Sequence, residues 1–536
     1  MHHPAQRRAA VKVPAGPSAR LSGPAWMALV AFVAIGVRVA AQPHPVDDAY
    51  ITFRYARNLL DGYGLVYNPG EAVLGTSAPV YAVLLAGAAR LAGTRSLPVV
   101  ATGLNAVADG LSAALVFLIL KRLRVAAGPA ALAALLIAIS PFVIRYSIGG
   151  METSILTAVL LLSAFLLLVG PRAGPYHLAG LAAGLRPDAL AFAAALLVGE
   201  VWRTRRLPWR SAAVVGGWLG IGMLLLWLSY GELLPHSVLA KAHEVYRVNP
   251  ATNFFQHVFL FSGLSLSGVH GFGARGLVVN PTPALGTIAL LGLLPLGAVW
   301  GIGAVRMTRD NPASCSLPIY VVIVTAVYSL LGLRGSLMAE WYLQPLVPFW
   351  LISLVSGLDA IAPMIRRRAL RSLAWAPLLT LVALSIASLN WGRNPRLPAT
   401  LPLNVWDERE RVYLQAADFL NATAADGAIV AASEIGALGY ACECRVFDTV
   451  GLVSPAASSY YPLPEDMLEG NYAVPPSLIQ SLQPEYLVSL EVFIRNTLLR
   501  DKAFLSQYRL VWRGASDAFG SRGLLVFRKT AADLGR

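Results

Sequence analysis

Long apolar runs dominate the chain between Pro24 and Asn390, separated by short polar or basic interruptions. A helix that crosses a bilayer needs roughly 17–25 apolar residues. Runs of that kind fall near 24–42, 98–120, 127–146, 153–170, 211–230, 283–304, 316–333, 341–358 and 373–390. Two stretches fit less simply. "APVYAVLLAGAARLAG" (78–93) is short for a span and contains Arg90, and 176–201 holds two apolar halves broken by "LRPDA" (185–189). After Trp391 the pattern changes. "DERERVYLQAADFLNAT" (407–423) predicts an amphipathic helix, and "GAIVAAS" (427–433), "EYLVSL" (485–490) and "GLLVFR" (523–528) predict strands of a small α/β domain.

Composition makes this a membrane pattern. The chain is 56% hydrophobic and 13% charged, with a mean hydropathy of +0.59, where soluble proteins carry about 25% charged residues. The net charge of +14 is not gathered on a nucleic-acid face but sits in short clusters between apolar runs. These are the N-terminal tail (Arg7, Arg8, Lys12, Arg20), "KRLR" (121–124), "RTRRLPWR" (203–210), "VRMTR" (305–309) and "IRRRALR" (365–371). Basic clusters of this kind stay in the cytoplasm. If 78–93 crossed the membrane, "KRLR" would lie outside; if 176–201 crossed once, "RTRRLPWR" would. Both conflicts vanish when 78–93 lies along the outer face and 176–201 folds as a hairpin tipped by Arg186, Pro187 and Asp188. The N-terminus carries no short cleavable leader, so 24–42 reads as a retained first span.

The expected organisation is a cytoplasmic tail (1–23), a multi-span domain (24–390) whose first external loop is 43–97, and an extracytoplasmic α/β domain (391–536). External segments then hold most of the unusual polar residues: Asp47, Asp48, Arg54, Glu71, Arg145, Glu152, His236, Lys241, His243, Arg334 and Glu340. Cys442 and Cys444 close only a very small ring if oxidised, so a thiol pair and a disulfide are both open. There is no Walker motif and no cytoplasmic domain able to hold a nucleotide. A donor for chemistry on the outer face would therefore be lipid-linked.

Adjacent carboxylates beside an apolar span are costly unless they are paired or do work. Asp47 and Asp48 suit the start of a helix over "AYITFRYARNLL". They also suit a division of labour, one acting as general base toward an acceptor hydroxyl and the other orienting a partner. Arg54 and Arg57 follow on the same helix, and arginine is well shaped for phosphate. "GELLPHSVLAKAHE" (231–244) adds His236, Lys241 and His243 at headgroup level, and "GGMET" (149–153) places Glu152 at an external tip, as a cap or a second acid.

These segments resemble the first loop and later motifs of GT-C membrane glycosyltransferases, and most closely those related to the mycobacterial terminal β-(1→2) arabinofuranosyltransferase. The resemblance rests on "DDAYITFRYARNLLDGYGLVYNPGE", "GTSAP" (75–79), "GGMET", "LRPD" (185–188), "LLPHSVLAK" (233–241) and "SEIGALGY…VFDTVGL" (433–452). It implies a polytopic helical fold of roughly ten to twelve membrane helices with juxtamembrane helices in the first loop. It further implies inverting transfer of a sugar from a polyprenyl phosphate to a cell-envelope glycan, lipid or protein, in the bacterial inner membrane. Asp47 or Asp48 maps to the base, with Glu152 as a further acid. Arg54, His236, Lys241, Arg145 and Arg334 are assigned to the donor phosphate, whose departure needs positive charge, and Tyr50, Arg57, Glu71, His243 and Glu340 to substrate. No cofactor or compact metal cluster is expected, although some relatives use a divalent ion. A transporter of lipid-linked sugars and an inactive lipid- or partner-binding scaffold are the competing readings.

Overall fold

The computed structural model describes residues 22–170, 173–237, 250–266, 283–333, 340–391, 407–469 and 472–530. In chain order the membrane part comprises α1 (Gly23–Ala41), α2 (Asp47–Leu60), α3 (Pro79–Leu91), α4 (Leu97–Arg122), α5 (Ala127–Ile139), α6 (Pro141–Ile148), α7 (Thr153–Val169) and α8 (Gly174–Leu185). It continues with α9 (Leu190–Thr204), α10 (Trp209–Tyr230), α11 (Pro250–Phe261), α12 (Pro283–Asp310), α13 (Ser316–Leu333), α14 (Leu346–Ile361) and α15 (Ala376–Trp391). Among the described residues six helices are long and apolar enough to span a membrane, or seven if the bent pair α5–α6 is one span. On α10, Leu224, Leu225, Trp227 and Leu228 are all exposed, as a surface bathed in lipid would be.

The first-loop helices are too short to cross. α3 has 13 residues, about 20 Å of helix against a hydrocarbon core of about 30 Å. The 176–201 region breaks where Pro187 forbids helical geometry in the residue before it. Arg186 is extended, and a short 3-10 turn, Pro187–Ala189, restarts the chain as α9, which packs back on α8.

The 127–146 run, expected as one span, is two helices bent by 44°. Pro141 starts α6 and lacks the N–H that would continue α5. The carbonyls around this break are met by Arg38 of α1, whose fully buried guanidinium donates to Ala138 and Ile137 and pairs with Asp109 of α4 at 2.8 Å. An intramembrane arginine is tolerable because every neighbour supplies an oxygen.

The C-terminal domain contains α16 (Asp407–Thr423), β1 (Ile429–Ala432), α17 (Gly436–Ala441), β2 (Arg445–Asp448), α18 (Pro476–Leu482), β3 (Tyr486–Leu490), α19 (Lys502–Gln507), β4 (Tyr508–Gly514) and β5 (Leu524–Lys529). Its five strands run in the order β2-β1-β3-β5-β4, with β1 parallel to β2 and β3, and β5 antiparallel to β3 and β4. The expected helix and three expected strands are present; β2 and β4 are additional.

Helix α2 is the joint between the two parts. Arg54, 2% exposed, donates from Nε to the Tyr67 carbonyl at 2.7 Å, from Nη1 to the Gly439 and Cys442 carbonyls, and from Nη2 to Asn68 and the Cys444 carbonyl. All five N–H groups of a guanidinium are thereby used. Cys442 and Cys444 are joined as a disulfide. The backbones approach so closely that a Cβ on Gly439 would lie 1.7 Å from the Tyr67 hydroxyl, and one on Gly436 2.0 Å from the Asp47 carbonyl. Asn68 pairs with both backbone groups of Val446, closing the outer edge of β2. Glu71 holds Arg445 at 2.6 Å, and Arg57 donates to the Tyr440 carbonyl beneath the Tyr440 ring.

At the same joint Arg409 is held by Glu410 through Nε and Nη2, at 3.0 and 2.8 Å, and lies 3.4 Å from Glu434. Asp47 lies beside this group, and the three carboxylates outnumber the one arginine. Burial pushes Glu410 up to about 7 and Glu434 up to about 8, against a restraining Arg409.

Two outcomes are expected. Arg54→Met strands several buried carbonyls, each costing about 1–3 kcal/mol, so hydrogen exchange in α2 and α17 should rise at least tenfold while α4 stays protected. The docked state also binds protons on Glu410 and Glu434 more tightly than an opened one. That stabilisation is complete below about pH 4.5 and is lost as pH rises through 7 to 8. Exchange at the joint should accelerate over this interval in the native protein and less in Glu434→Gln.

Candidate functional site

Successive residues of an α-helix point about 100° apart, and the first turn of α2 uses this to separate the twin aspartates. Asp47 is 6% exposed and faces the C-terminal domain. Its carboxylate accepts from the amides of Gly436 and Ala437 at 3.1 and 2.9 Å, and its own N–H donates to Glu410 at 2.9 Å. Burial pushes its pKa up, opposed by Arg409 and the two amides. Asp48 is half-buried and makes no side-chain hydrogen bond or ion pair with any described residue.

Glu152 comes to the same end of the molecule through its loop. Gly150 adopts φ +78°, and a Cβ there would lie 2.8 Å from the Phe53 ring, so only glycine lets "GGMET" lie against α2. Asn105 of α4 donates to the Ser147 and Met151 carbonyls, Tyr81 of α3 donates to Gly150, and the amides of His44 and Val46 donate to Ile148 and Gly149. These bonds tie the start of α2 to the tip. The charge of Asp48 is felt at Glu152, which is 3% exposed and whose carboxyl burial pushes up, opposed by Arg186.

Arg186 links this acid to the broken hairpin. Its Nε is 3.6 Å from Glu152 and 2.9 Å from Asp188, and Nη2 donates to Asp188 at 2.5 Å. The Tyr328 hydroxyl donates to Asp188 at 2.5 Å, and the guanidinium lies 4.6 Å from the centre of the Tyr342 ring. Tyr342 belongs to a 3-10 turn, Glu340–Tyr342, where the buried Glu340 accepts from the Tyr146 hydroxyl at 2.7 Å. Tyr146 is the neighbour of Arg145 in the last turn of α6. An ordered polar chain thus runs from Glu152 through Arg186 and Asp188 to Tyr328 and Tyr342.

The structure divides the expected site residues. Asp48 lies in the first turn of α2, Glu152 faces Arg186, Glu340 accepts from Tyr146, and Arg145 lies in the last turn of α6. His236 reaches the first loop, its amide donating to the Leu74 carbonyl at 2.8 Å and its ring lying 3.4 Å from Glu232. Arg54 has every N–H on a protein acceptor of the joint. The Asp47 carboxylate is held by the amides of Gly436 and Ala437. Tyr50, packed on Phe53 and Tyr440, Arg57 and Glu71 serve the joint. Lys241, His243 and Arg334 lie outside the described residues. Arg186, Asp188, Tyr328 and Tyr342 were not assigned from sequence, although "LRPD" had marked the first two as a tip. Among the described residues no three His, Cys, Asp or Glu side chains converge as a metal site.

A domain of unknown function (DUF8728) matches residues 403–529, and no curated protein sequence matches the chain. Among solved structures, ArnT from Cupriavidus metallidurans bound to undecaprenyl phosphate is similar at 13% identity and a TM-score of 0.56, over 95% of this chain and 98% of that one. The Archaeoglobus fulgidus oligosaccharyltransferase is similar at 12% identity and a TM-score of 0.54, over 95% and 73%. Arabinofuranosyltransferase AftD from mycobacteria shares 15% identity at a TM-score of 0.41, over 95% and 40%, an overlap too loose to support a specific relation. The chain is a multi-pass membrane protein with the GT-C fold, carrying a small C-terminal sheet domain.

Proposed function

We propose that the protein is an inverting glycosyltransferase that moves a sugar from a polyprenyl-phosphate donor to a glycan, lipid or protein of the cell envelope, at the outer face of the bacterial inner membrane. One observation carries this reading. Asp48, a half-buried carboxylate that makes no side-chain hydrogen bond or ion pair with any described residue, starts α2 at the seam of the membrane part and the C-terminal domain, and its charge acts on Glu152. A buried or half-buried acid left without donors is suited to take a proton from a substrate. The shared fold with ArnT, whose structure holds undecaprenyl phosphate, supports a lipid phosphate as the donor class. An oligosaccharyltransferase structure with a tethered acceptor peptide belongs to the same fold group.

In this reading Asp48 accepts the hydroxyl proton as the acceptor oxygen attacks the anomeric carbon. The bond from that carbon to the lipid phosphate breaks on the opposite side, which inverts the centre, and the lipid phosphate leaves as a monoester. Its charge needs cations. Arg145 and His236 are the described candidates, joined by Lys241 and Arg334. Arg186 cannot serve as an isolated cation, because Asp188 and Glu152 already surround it. Its chain suits hydroxyl groups and the positive character that develops on the sugar ring.

Purified protein supplied with polyprenyl-phosphate sugars and envelope acceptors, with and without divalent cations, tests the proposal. Asp48→Asn should lower transfer by about 10²–10⁴-fold with the joint still protected from exchange, whereas Asp47→Asn should lose activity in step with that protection. Wild-type transfer by a folded Asp48→Asn protein rules out this base. Movement of lipid-linked sugar across vesicles without product identifies a transporter, and neither activity identifies a scaffold.

A further inference from the structure

Resting on that reading, we infer that the turn "EWYLQ", residues 340–344, is the donor-sugar subsite, with Gln344 reading two neighbouring hydroxyls of the sugar. The starting observation is an anomaly. Gln344 is 1% exposed, and neither its Nε2 nor its Oε1 has a hydrogen-bond partner among the described residues. A glutamine amide offers two donors and an acceptor, and leaving both ends of a buried amide unpaired is costly and rare. A group kept in that state is explained by a molecule that pairs with it when bound.

The local geometry says where that molecule lies. The amides of Leu343, Gln344, Leu346 and Val347 each donate to the carbonyl three residues earlier, so the segment winds as a 3-10 turn, in which side chains three apart eclipse. Gln344 therefore projects from the same side of the turn as Trp341. Trp341 and Tyr342 are half-buried and give the turn its accessible aromatic faces. The Trp341 ring meets Tyr146 edge-on, with centroids 6.2 Å apart, and Tyr146 donates to Glu340. On the other flank Tyr342 lies against Arg186, which connects the turn to Glu152 and Asp188.

The chemistry selects a sugar over the other parts of a lipid-linked donor. An isoprenoid chain has no use for a buried amide. A phosphate would meet an acid, Glu340, and no cation within the turn. A sugar ring laid on the indole, its apolar C–H face inward, brings adjacent hydroxyls to the amide at the indole edge, one accepting from Nε2 and one donating to Oε1. A site built to hydrogen-bond hydroxyls discriminates strongly against analogues that lack them, so Gln344 is a specificity-determining residue.

The test uses the full-length protein in lipid nanodiscs, melted alone, with undecaprenyl phosphate, and with undecaprenyl phosphate carrying arabinofuranose, mannose or glucose. Wild type should gain more Tm from at least one sugar-bearing lipid than from undecaprenyl phosphate. Gln344→Met should melt at or above wild type when ligand-free, respond equally to undecaprenyl phosphate, and lose the sugar's increment, a weakening of at least tenfold. Trp341→Ala should lose the same increment. A Gln344→Met protein that keeps the increment overturns the subsite, as does one that melts several degrees lower without ligand, which would mean that the amide is paired inside the protein or with a buried water. A wild type that transfers sugar yet shows no increment overturns the subsite and leaves the transferase reading standing. A wild type that shows the increment but never transfers does the reverse.

Discussion

A single guanidinium, that of Arg54, ties the segment after α1 to the far end of the chain. It gathers carbonyls from Tyr67, Gly439, Cys442 and Cys444 around one buried positive charge. Backbone oxygens at the surface of a small domain are poor at holding anything; collected on one cation they become a lock, because each loses its partner if the arginine leaves. The neighbouring glycines let α2 and α17 meet at backbone distance, and Asp47 completes the contact by accepting from the first amides of α17. With that side of α2 fixed, the residue one step further along the helix, Asp48, has its direction set as well.

The membrane half reaches the same end by a different route. In lipid, backbone groups released by a break in a helix must find partners within the protein. The α5–α6 break finds them in Arg38, and the α8–α9 break is stabilised around Arg186, which is bonded to Asp188 and near Glu152. Both breaks place polar groups where unbroken helices would have carried apolar side chains. The α8–α9 break is thus what brings Arg186 and Asp188 to Glu152.

Much of this was legible in the sequence. Apolar run length locates the helices, and 78–93 forms a 13-residue helix while 176–201 breaks at Arg186 into α8 and α9; the expected spans 153–170 and 373–390 form helices shorter than the six long apolar ones. The amphipathic run at 407–423 is α16. Less visible was the use to which the polar residues of the first loop are put. Arg54 and Asp47 look like binding residues because they are charged beside a membrane, and nothing local shows that their partners lie nearly four hundred residues away. β2 is hard to read because "RVFD" is only four residues long, and β4 because Arg509 and Arg513 bracket its three apolar residues on a largely exposed edge. Gln344 gave no sequence signal at all, since an unpaired amide is a property of its surroundings.

The amide of Asn68 lies against β2 in place of a neighbouring strand, meeting both backbone groups of Val446. This has a bearing on how the protein is made. Asn68 and Val446 are 378 positions apart, so during synthesis the loop must wait through the insertion of the remaining membrane helices before its partner emerges. Throughout that interval the loop's polar groups have only water as a substitute, and the newly released sheet has an open flank that could recruit a foreign strand. Biogenesis thus carries a vulnerable window, closed when the last part of the chain folds back onto nearly the first.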